Sequence, residues 1–152
     1  MPNWIEGCLK VRGKKENLLK FLNEGLKRID QREFIFKIEQ DFEEEIELNI
    51  KNDSEFWIKD TRRSFVSYDY LSIDNEKEEN VLTFNYKSAW AISSEELQKI
   101  SDEFQIDFKI FGVERGMEFT QDLEITKGKV LMDNAREYAD WKWECPFPNM
   151  GG

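Results

Sequence analysis

Leu82, Phe84 and Tyr86 alternate with Val81, Thr83, Asn85 and Lys87. A period of two in a run rich in β-formers predicts a strand with one buried face over 81–87. Ile92-Ser93-Ser94-Glu95-Glu96-Leu97 follows. Ser93 is placed to accept from the Glu96 amide and Glu96 to reach back to Ser93. That is a capping box, with Ile92 and Leu97 as its hydrophobic staple. Leu97, Ile100 and Phe104 then form one helical stripe. Ile106, Phe108 and Ile110 alternate again as a second strand over 106–111.

The same pattern is read along the rest of the chain. Ile5, Leu9 and Val11 share one face of a predicted strand, with a close backbone approach at Gly7. Leu18, Leu22, Leu26 and Ile29 predict a helix over 14–29, although Gly25 weakens it. Residues 30–56 are mixed, short and acidic, and are read as an insertion. Residues 64–73 are strand-like, with a phase shift between Tyr70 and Leu71 that suggests a bulge. A polar loop over 74–80 joins that strand to 81–87 as a hairpin. Residues 117–125 alternate, Lys127-Gly128 is a two-residue turn, and Val130-Leu131-Met132 closes the pair. A short helix is expected over 133–141. The proline-bearing end is expected to be irregular.

The resulting order is β-α-(insertion)-β-β-α-β, followed by a hairpin. It predicts an α+β fold, a ferredoxin-like split β-α-β core with an insertion and an additional C-terminal β-hairpin. One domain is expected over 1–152, with its core at about 3–29 and 57–132. The insertion is 30–56 and the tail 133–152.

Composition narrows the functions. The net charge is −10, which opposes direct binding to duplex DNA or an anionic membrane. The basic pairs Lys14-Lys15 and Arg62-Arg63 do not offset it. The chain has no histidine, which removes histidine triads and histidine metal sites. Cys8 and Cys145 alone cannot make a four-ligand zinc site, so no metal and no cofactor are expected. No leader-like segment and no apolar run of spanning length is read, so reduced thiols in a cytoplasmic setting are expected.

Met1-Pro2-Asn3-Trp4, with Leu9-x-Val11-x-Gly13, resembles the start of the YubB-like family of phage and plasmid proteins. Leu82-Thr83-Phe84, Ser88-Ala89-Trp90, Glu114-x-Gly116-Met117-x-Phe119 and Gly128-x-Val130 extend the resemblance. The chain departs from that pattern at Ile5 and at Ala91-Ile92-Ser93. The resemblance implies a ferredoxin-like domain in a bacterial mobile-element protein. It implies no activity.

The candidate sites follow. Trp4 and Trp90 are placed to flank one patch, where they would serve as a ligand platform; the reading favoured is two core tryptophans that bond their N–H groups locally. Glu114 and Glu118, with Arg115, surround a turn; a buried carboxylate there would suit acid–base work, and a solvated ion pair is the plainer reading. Asp41, Glu43, Glu44, Glu45 and Glu47, with the second acidic run 74–79, have the charge to imitate a DNA backbone or simply to keep the protein soluble. Cys8 is read as structural. The function expected is a non-enzymatic accessory protein that binds another macromolecule, most readily a protein. An acidic nucleic-acid mimic and an enzyme with a carboxylate-based site near Trp90 stand as alternatives.

Overall fold

The computed structural model describes residues 2–29, 38–41, 45–48 and 55–152. Strand β1 (Trp4–Gly13) leads into a short helix α1 (Lys15–Lys20), which ends in a π-helical turn, Phe21–Gly25. Strands β2 (Leu26–Arg28), β3 (Ile38–Asp41), β4 (Glu45–Leu48), β5 (Phe56–Ile58), β6 (Ser64–Ser67), β7 (Ser72–Asp74) and β8 (Asn80–Ala89) follow. Helix α2 (Ser94–Phe104), strands β9 (Asp107–Glu114), β10 (Phe119–Thr126) and β11 (Lys129–Glu137), and helix α3 (Trp141–Glu144) complete the order.

Eight strands form one sheet in the order β11-β10-β9-β1-β8-β6-β5-β2. Every pairing in it is antiparallel. A second small sheet has the order β3-β4-β7. This overturns the expected ferredoxin-like split β-α-β core: the molecule is dominated by one large antiparallel sheet with few helices. Two features extend the sheet beyond the expected core. The alternation of 119–126 pairs β10 with β9 and β11 with β10, which adds two strands on one side. On the other side the expected 14–29 helix breaks at Gly25, where a Cβ would stand 2.7 Å from the Phe21 ring and 3.3 Å from Phe104. Leu26–Arg28 then turns into β2 and pairs with β5.

Three further expectations are corrected. The strand over 64–73 is two strands: β6 pairs with β8, while β7 leaves for β4. The phase shift at Tyr70–Leu71 therefore marks a change of sheet rather than a bulge. The expected helix over 133–141 is strand up to Glu137, because β11 keeps pairing with β10 through Phe119↔Glu137. Glu96 does not complete a capping box; its Oε1 accepts from the Arg62 amide (3.1 Å), which ties α2 to the loop before β6.

One face of the large sheet carries the core. Ile5, Leu9, Val11, Leu82, Phe84, Tyr86, Phe108 and Ile110 point there and meet Leu97, Ile100 and Phe104 of α2. Burial of such side chains stabilises by roughly 1.5–3 kcal/mol each. Ser93 caps α2, its Oγ accepting from the Glu96 amide at 3.3 Å. Gly7 is required by close packing, since a Cβ there would collide with the Phe111 carbonyl. Lys127 and Gly128 have φ of 42° and 82°, the sign that a two-residue hairpin turn of this hand needs.

The opposite face is partly covered by residues 138–152, which run across β9 and β10 as a strap. Val113, Trp141 and Cys145 form a second buried cluster there, with Phe111, Tyr138 and Met150 against it. Trp141 Nε1 donates to the Pro148 carbonyl (3.0 Å), and the Gly152 amide donates to the Trp4 carbonyl (2.7 Å). The tail expected to be irregular is thus held down by a small core of its own. Among the described residues no helix is long and apolar enough to cross a membrane.

Candidate functional site

Alternation fixes what the uncovered half of the open face displays. Ile5, Leu9 and Val11 face the core, so Trp4, Glu6, Cys8, Lys10 and Arg12 face the other way. Leu82, Phe84 and Tyr86 face the core, so Asn85 and Lys87 join them. Register then brings specific residues together. Glu6 lies opposite Lys87, and Phe65 of β6 lies opposite Lys87 from the other side.

At this crossing the Lys87 ammonium lies 5.1 Å from the centre of the Trp4 ring and 5.8 Å from that of Phe65. The two rings meet edge to face, with centroids 6.0 Å apart. Lys87 Nζ also pairs with Glu55 Oε1 at 2.6 Å. A resident cation is therefore held by two aromatic rings and one carboxylate. Exposed cation–π contacts contribute about 0.5–1 kcal/mol. The ion pair is part-exposed and adds little more. Beside the cluster runs a groove of about 350 Å³, lined by Glu6, Glu55, Phe65, Asn85, Lys87 and, from the strap, Met150 among others.

The structure distributes the expected site residues as follows. Trp4 belongs to the aromatic cluster. Trp90 stands at the same end of the sheet, its amide donating to the Asn3 carbonyl (2.8 Å), but its side chain is 55% exposed. It also adopts φ of 70°, unusual for a large residue. Glu114 is fully buried, and its two oxygens accept from the Gly116 and Met117 amides, each at 2.7 Å. Its carboxylate shapes the β9–β10 turn. Glu118 lies exposed in that turn with φ of 56°. Arg115 Nη1 donates to the Asn149 carbonyl in the strap (3.3 Å).

The acidic runs separate. Asp41 ends β3 and Glu45 and Glu47 lie on β4, with Glu47 opposite Gln40. Glu43 and Glu44 lie outside the described residues. The run 74–79 forms a closed loop: Asn80 Oδ1 accepts from the Asp74 amide (2.8 Å), and Asn80 Nδ2 donates to the Asp74 carbonyl (3.1 Å). Cys8 and Cys145 are both free thiols.

Phe65, Lys87 and Glu55 are not among the candidate site residues that the sequence points to. A signal existed for Lys87, which occupies the outward phase of a strand predicted beside β1. Nothing in the sequence set the register that places it over Trp4, and Glu55 falls in the segment read as an insertion.

A second polar centre lies on the core side. Ser64 Oγ and the Tyr86 hydroxyl share a hydrogen bond (3.1 Å), and Ser64 Oγ donates to Ser88 Oγ (3.1 Å). Burial pushes the Tyr86 phenol up to about 12, against a smaller opposing effect of the Ser64 and Ser88 hydroxyls. A phenol held protonated in this way is a structural donor or acceptor rather than a base.

No family model, curated protein or solved structure matches this chain.

Proposed function

We propose that this protein is a non-enzymatic binding module that takes a protein partner on the open face of its large sheet, beside the strap. The observation that carries this reading is the groove along β6, β8 and β1, lined by Phe65 and Met150 among others, with Trp4 packed edge to face against Phe65. Large aromatic side chains supply much contact area with few rotatable bonds and dominate protein interfaces. The groups around them, an amide, a hydroxyl and an ion pair, orient a bound surface rather than move a proton. The carboxylate singled out for acid–base work, Glu114, spends both oxygens on backbone amides. That weighs against the enzyme reading around Trp90. The resemblance to phage and plasmid proteins supports a bacterial, cytoplasmic setting for the partner.

The test begins with affinity capture from bacterial cells and mass spectrometry. Binding of the captured protein is then compared across variants. The open-face reading expects Trp4→Leu to weaken binding strongly while the fold, followed by backbone amide spectra, is retained. It expects Glu43→Gln, Glu44→Gln and Glu45→Gln together to change little. The reverse pattern, with binding that falls steeply as salt rises, would replace this reading with the acidic mimic.

A further inference from the structure

We propose that the open-face groove is a receptor for a cationic side chain, an arginine or lysine of the partner, and that Lys87 is its internal plug. The inference rests on the open-face reading above and names the chemistry of what binds there.

Lys87 Nζ sits over the Trp4 and Phe65 rings and pairs with Glu55 at 2.6 Å. A ring quadrupole attracts cations to its face, and a nearby carboxylate completes a cage for one. The chain thus displays, with its own side chain, the class of ligand the site accommodates. The groove beside it is lined by two carboxylates, Glu6 and Glu55, against one ammonium, Lys87. Once Lys87 swings out, neither carboxylate has an ion-pair partner among the described residues, which favours an incoming cation over an anion or a neutral group. A path to solvent exists for Lys87: its side chain is 33% exposed and that of Glu55 is 41% exposed. A long flexible stem with a strongly hydrated head is suited to leaving.

The charge of the whole molecule acts in the same direction. At −10 the protein attracts basic partners over distance, which raises the encounter rate. Long-range attraction alone selects no site. The aromatic faces do, because they are where an arginine guanidinium can stack flat. The groove, at about 350 Å³, has room for such a side chain together with a stretch of backbone along β6. The plug then acts as a threshold: each bound cation must displace a resident one, so weak or misplaced cations are rejected.

The test uses the purified chain and a short peptide carrying one arginine between neutral residues, with both ends blocked. Its partner probe carries citrulline in place of arginine, equal in shape and uncharged. Binding is followed by the Trp4 indole N–H resonance, assigned by its loss in Trp4→Leu. The arginine peptide is expected to shift that resonance and the citrulline peptide to leave it in place. Lys87→Met keeps the stem and removes the plug, and should tighten arginine binding about threefold or more, the scale of one exposed cation–π contact. In the Lys87→Met chain, where no plug competes, Glu55→Gln should weaken it by a similar factor. Equal shifts with citrulline, arginine binding unmoved by Lys87→Met, or arginine binding to the Lys87→Met chain unmoved by Glu55→Gln, would each overturn the proposal. A captured partner that depends on Trp4 while the arginine peptide fails to bind would leave the open-face module standing and remove only the cation receptor.

Discussion

The Gln121 side chain pairs with the backbone of Ile92 as a strand would. Its Oε1 accepts from the Ile92 amide and its Nε2 donates to the Ile92 carbonyl, both at 3.0 Å. Nε2 also donates to Asp133 Oδ1 at 2.9 Å. One buried amide thereby fastens the approach to α2 onto β10, next to the Ser93 cap.

Gln121→Leu should therefore destabilise by about 2–4 kcal/mol, because it strands a buried amide and a buried carbonyl at once. Urea unfolding measures the loss. Hydrogen exchange should show it to be accompanied by faster exchange at Ile92 and the first turn of α2. A change below about 0.5 kcal/mol, the scale of an ordinary surface substitution, would mean the clamp is not a determinant of stability.

Glu114→Gln separates a turn carboxylate from a catalytic one. The wild-type group accepts two amide hydrogen bonds at full burial. The variant's NH₂ would face an N–H, so one bond becomes a repulsion between donors. The expected cost is about 1–3 kcal/mol, read as a lower urea midpoint with the slope unchanged. Loss of partner binding without loss of stability would assign Glu114 to the interface instead.

Tyr86 gives the protein a pH dependence of definite sign. Burial raises its folded-state value from 10.0 to about 12, so the unfolded chain gives up this proton first as pH rises. The contribution is fully present below pH 10 and is lost as the pH climbs towards 12. Two pK units correspond to roughly 3 kcal/mol. Tyr86→Phe should flatten this part of the stability profile, measured as the difference in urea midpoint between mildly and strongly alkaline buffer. A profile identical to wild type would show that Tyr86 does not set it.

How much of this was legible depended on whether the deciding interaction was local. Ser93 and the stripe Leu97, Ile100 and Phe104 define α2 by neighbours within two turns, and helix and core contacts follow them. The end of the first helix was not legible. Leu18, Leu22 and Leu26 keep helical spacing, and the helix ends at Gly25, which packs against Phe21 and against Phe104, almost eighty residues later. The shift at Tyr70–Leu71 was visible as a change of phase. Its meaning, a strand leaving one sheet for another, depends on β4, whose pairing the sequence does not announce. The site shows the same division. Trp4 stood out as a residue, but its partners Phe65, Lys87 and Glu55 are set by the register of four strands, β1, β8, β6 and β5. The number of strands was missed for a related reason. A period of two marks a strand and its buried face, and leaves open how many strands one sheet collects.

The strap has a core separate from the main one. Trp141 is buried against Val113 and Cys145, and the Tyr138 and Trp141 rings meet with centroids 5.5 Å apart. The Tyr138 hydroxyl bonds Thr120 Oγ1 at 2.9 Å, and Phe147 meets Phe111 edge to face. Small cores of this kind open independently of the larger structure they lie on. Trp141→Ala, a loss of about 3–5 kcal/mol of local packing, should exceed what the strap alone can absorb and release residues 138–152 from the sheet. Hydrogen exchange should then lose protection at Glu144 and Cys145, whose amides donate to the Asp140 and Trp141 carbonyls. The amides of Leu82, Phe84 and Tyr86 should keep theirs, since the opposite face carries their packing. Release also removes Met150 from the groove and the Gly152 bond from the Trp4 carbonyl. Arginine-peptide binding should consequently weaken in Trp141→Ala even though neither Lys87 nor Glu55 is altered. Loss of protection in every strand at once would instead make the strap part of a single cooperative unit, and the separation of the two cores would have no energetic counterpart.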